Sequence, residues 1–179
     1  DAGSTIDFPV HVIAHSPDNE WLLKMELDLP EGVTVNSATG LSTPHGIMEW
    51  NSQIGNGVVT DWGDLGWGTG AYFTDGESGD TAVNLSFDAD LVGDVVIDWM
   101  VYGDNFGGAP HQVSGQIVLT AIAPDISVSQ PVTGDVAIIG STLEVAFAAI
   151  NGPQLVNIDL QRETEGAWEN LAFALDANA

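Results

Sequence analysis

The chain contains no cysteine. That excludes disulfides, thiolate metal sites, iron–sulfur clusters, c-type haem and cysteine nucleophiles. A module so built must draw its stability from β packing or from metal ions. Positive charge is nearly as scarce. Lys24 and Arg162 stand against 26 acidic residues, for a formal net charge of −24. Phosphate backbones and anionic membranes would be repelled, so nucleic-acid binding and attachment to acidic lipid are excluded as functions. Self-repulsion at this charge is costly unless cations screen it. A salty or calcium-bearing exterior fits, and solubility in brine explains the same composition without any site. No run of about 18 apolar residues occurs, and nothing predicts membrane insertion. There is no signal peptide and no initiating methionine, which fits a mature form or an excised fragment.

Apolar residues make up 44% of the 179 positions, enough for one or two small domains with real cores. That content is well distributed and argues against disorder. No amphipathic helix is found, and strand patterns dominate. "DFPVHVIAH" (7–15) reads as a β-branched strand. In "EWLLKMELDLP" (20–30), Trp21, Leu23, Met25, Leu27 and Leu29 alternate with Leu22, Lys24, Glu26 and Asp28, the period of a half-buried strand. "GDVVIDWMVYGD" (93–104) is apolar on both faces and suits a central strand. Shorter strands are expected near 46–50, 57–61 and 71–73. Some eight short strands with glycine-rich turns predict an all-β fold with a β-sandwich over residues 1–122. "APD" (123–125) marks a boundary. Strands near 126–130, 135–139, 142–149, 155–162 and 167–175 then predict a second, partial β-sandwich over 124–179. At about 55 residues it is short of a seven-stranded module. It is expected to lack its last strands, or to be completed by a neighbouring chain.

Calcium takes six to eight oxygens from carboxylates, amides and carbonyls on turn-rich loops. "TDWGDLGWGTG" (60–70), "TDGESGD" (74–80) and "YGDNFGG" (102–108) offer Asp61, Asp64, Asp75, Glu77, Asp80, Asp104 and Asn105. None follows the EF-hand order, and Asp, Asn and Gly are also what turns prefer. Trp50, Trp62 and Trp67 sit among polar turn residues, where aromatic faces stack on sugar rings; core packing is the competing reading. Trp21, Trp99 and Trp168 fall in strand patterns and are expected in the core.

Catalytic patterns are thin. His11 and His15 form "HVIAH", but on a strand they stand about 13 Å apart, too far to share one zinc. No G-x-S-x-G elbow exists, and Ser78 lacks the strand–turn–helix setting of a nucleophile. Asp61 with Asp64, or Asp98 with Asp104, could pair as glycosidase carboxylates, yet small sandwiches offer little cleft. "GDNFGGAPH" (103–111) reads as a hairpin connection, with Asp104 and Asn105 capping the turn and His111 a structural or surface residue.

The stretch "SVSQPVTGDVAIIGSTLEVAF" followed by "VNIDLQRETEGAWENLA" resembles the Ig-like, KNH-like repeat modules of secreted multimodular bacterial surface proteins. It departs from their pattern at Phe147, where a tryptophan is usual. "SPDNEWLLKMELDLPEGVTV" and "GDVVIDWMVYGDNFGGAPHQVSGQIVLT" resemble, more loosely, accessory β-domains of secreted bacterial peptidases and adhesins. The resemblance implies an extracellular or cell-surface module that is structural or adhesive, not an enzyme, and without organic cofactor. Expected partners are other protein modules or copies of the same chain, with calcium as a stabilising ion. The alternative is a carbohydrate-binding or ancillary module of a secreted hydrolase, with glycan as partner.

Overall fold

The computed structural model describes residues 1–66, 71–108, 110–123, 125–135, 140, 142–150, 155–161 and 166–176. The fold is all-β, and no helix occurs among the described residues. Accordingly, no helix there is long and apolar enough to cross a membrane. The chain divides into two compact units, Asp1–Ala121 and Ile122–Ala179.

In the first unit the strands are β1 (Thr5–Ile13), β2 (Leu22–Asp28), β3 (Val33–Ala38), β4 (Leu41–Thr43), β5 (Gly46–Met48), β6 (Gly55–Asn56), β7 (Val59–Gly63), β8 (Ser78–Phe87), β9 (Gly93–Gly103) and β10 (Gln112–Ala121). They form two antiparallel sheets. One runs β5-β4-β8-β3-β6, with β1 on the other side of β8; the second runs β10-β9-β2-β7. The period of two in the sequence decides which side chains turn inward. Val83, Leu85 and Phe87 of β8, Val33 and Val35 of β3, Met25 and Leu27 of β2, and Val95 and Ile97 of β9 join one buried cluster. Each sheet therefore buries one face in a shared core.

Two expectations change here. Strand β9 lies between β10 and β2, as its apolar run suggests, but only one of its faces is covered. Val96 and Asp98 are exposed on the other face. An antiparallel sheet can leave one face to water, and this one does. Of the tryptophans expected in the core, none is fully buried, and only Trp99 packs against it. Trp21 precedes β2, is half-buried, and stacks on Tyr72 with ring centroids 4.1 Å apart. Trp99 is half-buried across β10, its ring lying over Gly115, the residue opposite it in the ladder. Trp168 is 66% exposed.

The second unit holds β11 (Asp125–Gln130), β12 (Ala146–Ile150), β13 (Leu155–Gln161) and β14 (Trp168–Asp176). They pair as two separate two-stranded ladders, β11 with β12 and β13 with β14. Most of the expected strand at 135–139 lies outside the described residues.

Candidate functional site

Strands β1 and β10 are edges: among the described residues β1 pairs only with β8, and β10 only with β9. Val12 and Ile13 at the end of β1 and Val113 at the start of β10 border a cavity of about 470 Å³. Its walls are completed by Leu22, Trp99 and Val101, and its rim by residues 14–18, 20, 108 and 110–112. That volume lies within the usual range of ligand pockets, about 300–1,000 Å³.

The polar end of the cavity is Glu20, only 6% exposed. Its Oε1 accepts hydrogen bonds from the Asn105 amide (3.0 Å) and pairs with His111 Nδ1 (2.9 Å). No donor among the described residues reaches Oε2. Ser16 Oγ accepts from the Glu20 amide (2.9 Å), which holds the backbone of the 14–20 connection. Asp18 Oδ2 accepts from the Gly108 amide (2.7 Å), tying that connection to the β9–β10 hairpin. A Cβ at Gly103 would overlap the Glu20 carboxylate, so the close approach requires glycine there. His15 lines the cavity and makes no hydrogen bond among the described residues.

The expected cation ligands do not converge. Asp104 Oδ1 accepts from the Phe106 amide, an Asx turn, and Asn105 adopts a left-handed φ of 62° beside Glu20. Asp75 Oδ1 accepts from the Ser16 amide. Glu77 Oε2 accepts from the Thr74 amide and Oε1 meets His45 Nε2 at 2.9 Å. The Thr74 amide first, and His45 after it, hold the Glu77 carboxyl below the usual glutamate range. Asp80 pairs with His11 at 2.6 Å on the surface. No group of three or more His, Asp or Glu placed to hold a metal occurs among the described residues. Of the carboxylate pairs, Asp98 accepts from Gln116 Nε2 on the exposed face of β9, away from the Asp104 turn.

Asp61 and Asp64 do share a hollow of about 240 Å³, but Lys24 lies in it with them. Lys24 Nζ sits 2.8 Å from Asp61 Oδ2 and 2.7 Å from Glu26 Oε1. Asp61 faces Glu26 directly across the β2–β7 ladder, and Lys24 is two residues back on the same face. Burial alone would lower the lysine pKa. Its hydrogen bonds to Asp61 and Glu26, and their charges, outweigh that and hold it above the ordinary range. An ammonium already supplies the positive charge a metal would bring. Asp61 Oδ1 is buried with no partner among the described residues. Asp64 Oδ1 accepts from the Gly66 amide.

The chain matches no known family model and no curated protein. The assignment of a role therefore rests on the geometry.

The tryptophans expected as sugar platforms are differently used. Trp62 is 0% exposed, and its Nε1 donates to the Thr39 carbonyl at 2.7 Å, so it belongs to the core. Trp50 is half-buried against that core and donates to Thr60 Oγ1 at 2.7 Å. Trp67 lies outside the described residues. The Glu20–His111 pair escaped the sequence because its members are 91 positions apart and carry no motif. The one available signal was a glutamate beginning an apolar strand and a histidine beginning another.

Proposed function

We propose that the chain is a non-catalytic structural or adhesive module of a bacterial cell-surface protein or extracellular filament. What supports this reading is the second unit. An isolated two-stranded ladder is marginal in water, and here two of them leave large apolar side chains open. Trp168, Leu171 and Phe173 of β14 and Val128 of β11 are all exposed, Phe173 at 75%. Such a surface is stable when another β module covers it, and the occupant proposed is a second copy of the same chain. The likeness of this stretch to Ig-like repeats of surface proteins points the same way. Cations, calcium among them, neutralise the acidic surface in that assembly.

Light scattering of the full chain tests the reading, in strong salt and with calcium or chelator. A mass of two or more copies that falls to one on Phe173→Glu is the expected result. A chain that stays monomeric and folded at high concentration overturns it. The sugar-binding alternative loses Trp62 as a platform, and nothing in the geometry of Trp50 favours it.

A further inference from the structure

The cavity between β1 and β10 combines three properties that together select a ligand. Its walls are aliphatic and aromatic, from Val12, Ile13, Leu22, Trp99, Val101 and Val113. Its polar end is a buried carboxylate whose Oε1 is saturated by the Asn105 amide and His111. Its remaining oxygen, Oε2, accepts from no donor among the described residues and stays open to an incoming one, and an ionised carboxylate can only accept. We propose that the cavity binds a primary alkylammonium group on a linear aliphatic chain, the chemistry shared by a short alkylamine and a lysine side chain.

Charge sets the sign of the ligand. Asp18 stands at the same rim as Glu20, and the chain carries a net −24. Together they repel carboxylates and phosphates and draw cations inward. Geometry sets the kind of cation. A guanidinium prefers to grip both oxygens of a carboxylate at once. With Oε1 already holding two donors, one acceptor is left, which suits the compact single-point ammonium. The apolar walls then take the methylene stem, as lysine stems lie along apolar surface elsewhere. The inference does not depend on self-association, because every residue it uses belongs to the first unit.

The test is a titration of the full chain with n-butylammonium, n-butanol and butyrate. It is read by tryptophan fluorescence, compared with a Trp99→Phe chain, and by the amide resonances of Asn105 and Gly108, which donate to Glu20 and Asp18. Butylammonium is expected to bind saturably and to shift both amides. Butanol and butyrate should bind at least about tenfold more weakly, as expected when a charge-assisted hydrogen bond is lost. Glu20→Gln should cost butylammonium at least about tenfold. Val113→Trp, at a wall position that is itself exposed, should block binding with Glu20 intact, and it serves if the Glu20 variant does not fold. A Gly-Gly-Lys-Gly-Gly peptide and its N-acetyl-lysine form separate the sources. Tighter binding of the unmodified peptide than of butylammonium assigns a protein lysine, and the reverse order assigns a free amine. No saturable binding, equal binding of butanol, or indifference to both substitutions overturns the proposal.

Discussion

Trp62 fills the centre of the first unit and satisfies its indole N–H on the Thr39 carbonyl. Truncating it to alanine should cost about 3–5 kcal/mol, because the cavity left behind adds to the lost transfer energy. It also orphans a buried carbonyl. Urea denaturation measures this loss; a change under 1 kcal/mol would return Trp62 to the surface. Tyr102 makes a subtler case. Its hydroxyl donates to Glu26 Oε2 at 2.7 Å, and that bond, with burial second, raises the phenol above its usual range. The raised value means the stabilisation is complete below the ordinary tyrosine range and is lost as pH climbs through the folded value. In a Tyr72→Phe chain, where Tyr102 is the remaining tyrosine, the phenolate absorbance should rise late. Adding Glu26→Gln should bring its midpoint down; an unmoved midpoint would dismiss the bond.

Among the elements, the β9–β10 hairpin explains both the cavity and the odd position of Trp99. Gly115 stands opposite Trp99 in the ladder, and a Cβ there would lie 2.5 Å from the indole Cζ2. The ring can cross β10 only because that residue is glycine. Gly115→Ala should therefore destabilise the first unit by about 1–3 kcal/mol, the usual cost of overpacking. It should also move the ring that walls the cavity, so tryptophan fluorescence should shift along with the melting temperature. A stable variant with an unchanged spectrum would mean that Trp99 has other room. The rest of β10 carries no charge along Gln112–Ala121, unusual for a long edge strand in so acidic a chain. The side chains that guard such an edge elsewhere, lysine and proline, are missing from it.

At the scale of the molecule, a net charge of −24 opposes both compaction and association. Raising salt from about 0.01 to 1 M shortens the screening length from about 30 Å to about 3 Å. The melting temperature and the scattering mass should therefore both rise with sodium chloride. Calcium acting by screening alone would match sodium chloride at equal ionic strength. An excess stabilisation by calcium, reversed by chelator, would instead assign a discrete site. Lys24 is the single lysine or arginine of the first unit, and it is held between Asp61 and Glu26. Lys24→Met should leave those two carboxylates facing each other across the ladder and cost about 2–3 kcal/mol, somewhat under the value for a fully buried pair. Chemical denaturation checks it, and a neutral result would mean the pair relaxes into water.

The sequence by itself determined the all-β class, the alternation of β2 between a buried and a wetter face, and the lack of any thiol in this chain. Those follow from a side-chain period of two and from composition, both of which are local or summed quantities. It also located the turn at Asp104, because an Asx turn is made within three residues. Only the tertiary structure decided which tryptophans are buried. Trp21, Trp62, Trp99 and Trp168 share one residue type, yet their burial depends on what the other sheet or the neighbouring strand places against them. Only the tertiary structure joined Glu20 to His111, and Lys24 to Asp61, since those pairs are made by strand order and register. The cavity is of the same kind. It exists because two edge strands from different sheets approach without pairing, and no stretch of either strand carries a sign of the other.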